Sequence, residues 1–149
     1  MDDQAFMNLA LEQAKLSAMQ DEVPIGAVIV KDNEVIAFAH NERETLNVST
    51  AHAEILVIEK ACKLLKTWRL TGCTIYVTLQ PCLMCSGAIV LSRFDRVVFG
   101  AYDQKINSID YFKIDKLNHY PEVIGGVLEK QCSSIIKAYF KNKRKGGTI

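Results

Sequence analysis

The sequence contains no apolar run long enough to cross a membrane. A transmembrane helix needs ~20 consecutive apolar residues, whereas the longest run, Val23–Val30, has the length of a strand. Residues Met1 to Gln4 lack the positive start and apolar stretch of a secretory leader. No repeat, low-complexity stretch or linker divides the 149 residues. We therefore expect a single domain over residues 1–149, located in the cytoplasm and without a membrane partner.

The chain also has little net charge, but its charges are unevenly distributed. The formal net charge is +1, although residues 1–60 sum to −7 and residues 61–149 sum to +8. Residues 130–149 carry 6 basic side chains and no acidic one. This polarity is a weak indication of an anionic partner for the second half, because folding can interleave the two halves.

Apolar periodicity predicts strands that alternate with helices after an initial hairpin. Helices are expected over residues 2–18, 53–66, 81–91 and 129–141. Strands are expected over residues 23–30, 34–39, 73–79, 96–99 and 121–128, the last of them broken by Gly125-Gly126. Pro81 is expected in the first helical turn, where its missing N–H is no loss. Residues 41–51 are interpreted as a loop, residues 101–120 as irregular and residues 142–149 as a frayed basic tail. This order favours one α/β domain with a mixed sheet and helices on both faces.

Three side chains have the chemistry and spacing of metal ligands. Cys82 and Cys85 are three residues apart at a predicted helix start, so both thiols lie on one face. The helix N-terminus favours their thiolates. His52 opens another predicted helix, and the intervening helix and strand return the chain to the same end of the sheet. Two sulfurs and one imidazole suit zinc.

The number of ligands separates a catalytic zinc site from a structural one. Structural sites usually have four protein ligands, whereas catalytic sites keep one position open for water. Cys62 and Cys73 lie too far along their predicted elements to complete the set, and Cys132 has no ligand partner near it. Three protein ligands and a water are therefore expected.

Glu54, two residues after His52, supplies a proton acceptor beside the metal. Residues two apart in a regular helix diverge by ~200°, so His52 must lie at the helix cap if both side chains face one metal. By itself, a C-x-x-C pair is also typical of redox sites, and a lone histidine is more often structural. The combination of H-x-E with P-C-x-x-C is the known signature of zinc nucleobase deaminases.

Longer motifs surround these residues. They are Val23-Pro24-Ile25-Gly26-Ala27-Val28, Asn41, Thr50-Ala51-His52-Ala53-Glu54, Pro81-Cys82-Leu83-Met84-Cys85 and Arg96-Val97-Val98-Phe99-Gly100. With them the chain resembles the bacterial tRNA-specific adenosine deaminases of the cytidine-deaminase-like superfamily over nearly its whole length. The resemblance implies an α/β protein with a three-layer α/β/α cytidine-deaminase-like fold and a mixed central sheet of about five strands.

The resemblance also implies a reaction, in which adenosine at the wobble position of a tRNA anticodon loop becomes inosine and ammonia is released. It implies one Zn²⁺ per chain, and a homodimer that binds tRNA near the subunit boundary. The site residues it implies are His52, Cys82 and Cys85 as zinc ligands, Glu54 as proton shuttle, and Asn41, the backbone at Ala53, Asp103 and Lys105 as substrate contacts.

Four stretches depart from the usual pattern of this family. Val48-Ser49 replaces Asp-Pro, Gln80 replaces a glutamate and Tyr102 replaces an arginine. Residues 106–112 replace a small, glycine-rich stretch. None of these residues is a zinc ligand or Glu54, and the last three departures concern the rim of the site and therefore the choice of substrate.

Aromatic and basic residues are combined near the C-terminus. Unpaired RNA bases stack on aromatic rings while cations follow the phosphates. The segment therefore offers Phe140, Lys141, Lys143 and Arg144 as candidate RNA contacts, with Tyr139 as an alternative stacking residue. The other interpretation is that one aromatic packs on the core and the lysines are only solvated.

Two other functions fit parts of the pattern. A free nucleobase or nucleotide deaminase of the guanine or cytosine type shares the zinc site but does not need the basic segment. A non-catalytic RNA-binding partner subunit keeps zinc for stability but does not need Glu54. Salt dependence separates the first from a tRNA enzyme, because only phosphate contacts make binding fall steeply with salt.

Overall fold

The structure, a computed structural model, describes residues 2–106 and 110–145. Residue 145 is described by its backbone alone. The helices are α1 (Asp3–Met19), α2 (Arg43–Leu46), α3 (Ala53–Leu65), α4 (Leu83–Leu91) and α5 (Glu129–Lys145). The strands are β1 (Gly26–Lys31), β2 (Glu34–His40), β3 (Cys73–Leu79), β4 (Arg96–Ala101) and β5 (Glu122–Ile124). A short 3₁₀ helix, Tyr111–Lys113, lies between β4 and β5.

The strands form one mixed sheet in the order β2-β1-β3-β4-β5. Strand β1 is antiparallel to β2 and β3, whereas β4 is parallel to β3 and β5. The β1–β2 hairpin turns at Asp32 and Asn33, whose positive φ angles of 51° and 62° suit a two-residue hairpin turn. The mixed five-stranded sheet predicted from the sequence is confirmed.

Helices cover both faces of the sheet because alternate strand residues point to opposite sides. Val57 of α3 and Ile89 of α4 belong to one apolar cluster, and Met7 of α1 and Cys132 of α5 belong to the other. Gly26 lets α1 lie directly on β1, since a Cβ there would come 2.0 Å from the carbonyl oxygen of Ala10. The predicted three-layer α/β/α arrangement is thus confirmed.

Several predicted boundaries are wrong. Helix α4 begins at Leu83 with Cys82 as its N-cap, so Pro81 precedes the helix instead of occupying its first turn. Residues 41–51 contain helix α2. Strand β5 has only three residues, because the chain turns away at Gly126, where φ is +85°.

The predicted frayed tail begins too early. Helix α5 continues to Lys145, so residues 142–145 are helical. Lysine and arginine favour helix, and the first of the C-terminal glycines follows only at residue 146. Residues 146–149 of the predicted tail lie outside the described residues. Within the described ranges, no helix has both the length and the apolar character needed to span a bilayer.

The topology brings several chain segments to one edge of the sheet. Strand β1 begins at this edge and β2, β3 and β4 end there, as the pairing of Gly26 with His40 and of Leu79 with Ala101 shows. Helices α3 and α4 therefore begin at the same edge and lead the chain back to the opposite one. Side chains at the starts of these two helices are brought together.

A polar cluster ties α1 to the sheet at the opposite edge. Asp3 accepts hydrogen bonds from the Tyr76 hydroxyl at 2.6 Å and the Arg96 guanidinium at 2.9 Å. Arg96 also lies 3.5 Å from the carboxylate of Glu122 on β5. The hydrogen bond from Arg96 holds the pKa of Asp3 below its usual value, and burial raises the pKa of Tyr76 to about 12.

We expect Asp3→Asn to lower the free energy of unfolding by about 1 kcal/mol at pH 7. Because the folded-state pKa of Asp3 is lowered, its stabilisation is present above about pH 4 and is lost as the pH falls through the folded-state pKa. Urea unfolding at pH 7 and at lower pH measures this. Glu12→Gln on the exposed side of α1 is the control. Equal stability of Asp3→Asn and wild type at pH 7 would contradict the assignment.

Candidate active site

Two helix N-termini place the predicted metal ligands side by side. His52 is the N-cap of α3 and Cys82 is the N-cap of α4, both with extended backbone. The Nδ1 atom of His52 lies 3.7 Å from the Sγ atom of Cys82 and 3.5 Å from that of Cys85. All three ligand atoms lie within 4.8 Å of one another. The cap position of His52 is the one required for His52 and Glu54 to face one site.

The donor set fits a tetrahedral zinc ion. Bond lengths of about 2.3 Å to sulfur and about 2.0 Å to nitrogen separate the two ligand atoms by about 3.5 Å at a tetrahedral angle. The observed separations of 3.5 and 3.7 Å agree with this spacing. Among the described residues this cluster offers three donors, and Cys62, Cys73 and Cys132 are free cysteines outside it. A fourth position is therefore left for a small molecule.

The electrostatics of the cluster favour a thiolate. A hydrogen bond from the Cys85 thiol, aided by His52, lowers the pKa of Cys82 to about 4. The same hydrogen bond and burial raise the pKa of Cys85 above its usual value. Contact with Cys82 raises the pKa of His52. A thiolate beside an imidazole is the ligand state that binds a soft divalent metal.

Glu54 is a buried carboxylate beside the cluster. It is the second residue of α3 and only 4% exposed. Burial raises its pKa to about 7, although its own backbone N–H and the neighbouring His52 oppose the shift. A carboxyl group with such a pKa can both accept and return a proton near neutral pH.

The cluster opens into a cavity of about 800 Å³, a volume within the range of small-molecule sites. Asn41 lines this cavity and is buried. Its Nδ2 donates to the Val23 carbonyl at 3.4 Å, but its Oδ1 has no hydrogen-bond partner among the described residues. A buried acceptor without a partner is energetically costly. Asn41 is therefore an acceptor available to a ligand in the cavity.

The segment after β4 forms one side of the cavity rim. The backbone N–H of Asp103 donates to Oε1 of Gln80 at 3.0 Å, and that of Lys105 donates to Asp103 Oδ1 at 2.9 Å. The family that the sequence resembles usually has glutamate at position 80. The glutamine found here provides a hydrogen-bond acceptor for the backbone of the rim. Residues 106–112 differ from the usual pattern of the family, and residues 107–109 of this stretch lie outside the described residues.

Helix α5 forms another side of the cavity, but only two of the four predicted RNA contacts on it line the cavity. Phe140 and Lys143 line the cavity, whereas Lys141 and Arg144 are exposed outside its lining. Lys143 forms an ion pair with Asp21, and the Tyr139 hydroxyl donates to the Asp21 carbonyl at 3.0 Å. Lys143 is thus not a free cation.

The side chain of Ala53 is fully buried at the start of α3.

Lys137, Arg43 and Glu22 are among the cavity-lining residues that sequence reasoning missed. Lys137 lies three residues before Phe140 on α5, and continuing that helical spacing would have found it. Arg43 and Glu22 also line the cavity. Arg43 carries no local signal because it lies in a polar stretch without apolar periodicity. Glu22 carries none because its contacts are with residues distant in the sequence.

Comparisons with known proteins agree with this geometry. A model of the MafB19-like deaminase family matches residues 1–144. The tRNA-specific adenosine deaminase of Bacillus subtilis (strain 168) is 50% identical over 147 residues, which cover 96% of this chain and 91% of that protein. The chain belongs to the tRNA-specific adenosine deaminase family.

Two solved structures resemble this deaminase along most of its length. One, from a study of A-to-I editing by tRNA:A34 deaminases at the wobble position of transfer RNA, is 44% identical with a TM-score of 0.84 and covers 88% of this chain and 98% of that one. A guanine deaminase from Bacillus subtilis is 30% identical with a TM-score of 0.67 and covers 95% of both chains. The fold is shared by deaminases with different substrates.

We expect Cys85→Ser to reduce the metal content of the purified deaminase well below one ion per chain, because a serine hydroxyl is a poor ligand for a soft metal. Elemental analysis after dialysis measures the metal content. Cys62→Ser, on α3 but outside the cluster, is the matched control and should keep the wild-type content. Unchanged metal content in Cys85→Ser would argue against the ligand assignment.

Proposed function

We propose that this deaminase converts adenosine to inosine at the wobble position of a tRNA anticodon loop. The observation that carries the proposal is the Oδ1 of buried Asn41, which has no hydrogen-bond partner within the described part of the chain and lies in the same cavity as buried Glu54 and the His-Cys-Cys cluster. This cavity combines an acceptor for a base, a proton carrier and a metal site. The family relationship supplies the substrate class.

His52, Cys82 and Cys85 would hold one zinc ion, which when bound activates water as a nucleophile near neutral pH. Glu54 accepts one proton of the attacking water and delivers it to the ring nitrogen, and then carries the second proton from the hydroxyl added to the ring carbon to the departing amine. Water attacks the amino-bearing ring carbon, the C–N bond breaks, and ammonia leaves. A pKa of about 7 at Glu54 suits both directions of transfer.

Asn41 and Ala53 would orient the base. The free Oδ1 of Asn41 accepts a hydrogen bond from a donor on the base, and the backbone at Ala53 contacts it from the start of α3. An anticodon loop is single-stranded, so extruding one nucleotide into the cavity costs little unstacking energy. This geometry supports a base presented by a flexible loop.

Basic and aromatic rim residues support RNA as the carrier of the base. Arg43, Lys105 and Lys137 line the cavity and form no salt bridge within the part of the chain that the structure describes. Phe140 is partly exposed on the same rim and offers a stacking surface. Asp103 lies beside Lys105 and would contact the ribose. Lys141 and Arg144 would act outside the cavity, along the phosphates. A tRNA substrate favours a cytoplasmic location for the enzyme.

The test compares wild type and Glu54→Gln on unmodified tRNA, free guanine and free cytosine, with inosine and ammonia measured. We expect wild type to form inosine in tRNA, with binding that weakens steeply with salt. Glu54→Gln should keep its zinc and lose at least about 100-fold in rate, because the proton carrier is removed while the ligands remain.

Glu59→Gln, on the exposed side of the same helix, is the control and should keep full activity. Deamination of free guanine or cytosine without inosine in tRNA would replace the proposed function with that of a free-base deaminase. Substantial turnover by Glu54→Gln would exclude the shuttle role. Binding of tRNA without any deamination would indicate a non-catalytic partner subunit.

We also propose that the deaminase is a homodimer. Leu83, Gly87 and Leu91 form an exposed stripe on α4, and both leucines are 62% exposed. A Cβ at Gly87 would meet nothing within 4 Å, so a second copy can approach closely there. An exposed apolar stripe of this kind is typical of a self-association surface.

We expect light scattering to give the mass of two chains for wild type and of one chain for Leu91→Glu, because a buried unpaired carboxylate opposes association. Met19→Glu, at an exposed residue outside α4, should remain dimeric. A monomeric wild type, or a dimeric Leu91→Glu, would argue against this interface.

A further inference from the structure

Glu22 is a buried carboxylate that the deamination chemistry does not use. It lies in the turn between α1 and β1, is 1% exposed and lines the same cavity as Glu54. Burying an ionised carboxylate is strongly unfavourable unless hydrogen bonds satisfy its oxygens. The partners of Glu22 therefore indicate its role.

Both oxygens of Glu22 accept hydrogen bonds from the backbone of α2. Oε1 accepts from the N–H of Glu44 at 3.1 Å, and Oε2 accepts from the N–H of Thr45 at 2.5 Å. The N-cap residue of α2, Glu42, makes no side-chain cap hydrogen bond. Although burial opposes ionisation, the hydrogen bonds from Thr45 and Glu44 hold the pKa of Glu22 below its usual value. Glu22 thus replaces the local cap that α2 lacks.

The chain around Glu22 also holds Asn41. The backbone N–H of Asn41 donates to the Ile25 carbonyl at 3.0 Å, and its side-chain amide donates to the Val23 carbonyl at 3.4 Å. The hydroxyl of Ser17 donates to the Asn41 carbonyl at 2.7 Å. The cavity-lining residues 43–45 follow directly. The rim segment, residues 41–45, is therefore fastened at both ends to the turn that contains Glu22 and the end of α1.

We propose that Glu22 is a positioning residue that holds the rim segment in the conformation that binds the substrate. The proposal rests on the proposed function, because a base that enters the cavity meets Asn41. A helix of four residues is not stable alone, so α2 depends on the two hydrogen bonds to Glu22. The metal cluster does not depend on them, since His52 and Cys82 are placed by α3 and α4.

Glu22→Gln tests the proposal. Glutamine keeps the size of the side chain but presents an NH₂ group to one of the two backbone N–H groups. We expect the KM for tRNA to rise about tenfold and kcat to change by less than about threefold. Amide hydrogen exchange at Glu44 and Thr45 should accelerate while the amides of α3 keep their protection. Loss of a negative charge alone would favour a polyanion, so electrostatics does not explain a raised KM.

Glu59→Gln makes the same charge change at an exposed position of α3, outside the rim segment, and its KM should be unchanged or lower. A wild-type KM or unchanged amide protection in Glu22→Gln would overturn the proposal. Rapid exchange of the Glu44 and Thr45 amides in wild type would also overturn it, and this measurement needs neither a folded variant nor a tRNA substrate. Absence of tRNA deamination by wild type would overturn the proposed function instead.

Discussion

The meeting of two helix N-termini at one edge of the sheet is the constraint on which the site depends. Strands β2 and β3 both end at this edge, so α3 and α4 both start there. Their N-cap residues have extended backbone, which turns the His52 imidazole and the Cys82 thiol toward each other. The first helical turns then supply Glu54 and Cys85. A shift of either helix start would separate the metal-ligand atoms, even if the rest of the cavity were unchanged.

Buried polar groups near this edge differ in how they are satisfied, and this difference separates their roles. Each carboxylate oxygen of Glu22 accepts a hydrogen bond, and these bonds hold the backbone of α2. Glu54 is buried with a raised pKa and can exchange a proton. The Oδ1 of Asn41 has no hydrogen-bond partner among the residues that the structure describes, and it can accept from a ligand. A satisfied buried group stabilises the fold, whereas an incompletely satisfied one is available for binding or chemistry.

Folding brings some of the opposite charges of the two halves of the sequence together. Folding pairs basic residues of the second half with acidic residues of the first, as Arg96 with Asp3 and Lys143 with Asp21 show. The cations left on the cavity rim, Arg43, Lys105 and Lys137, come from both halves. These rim cations, together with Lys141 and Arg144 outside the cavity, are therefore the candidates for attracting an anionic substrate.

The sequence by itself determined the order of helices and strands, the mixed sheet, and the metal-ligand and proton-carrier candidates, because these depend on local periodicity and on short motifs. Strand β3 was predicted at its observed bounds. Tertiary structure alone decided that α2 forms, since its cap comes from Glu22. It also decided that Lys143 pairs with Asp21. These features rest on contacts between residues far apart in the chain, and no local pattern records them.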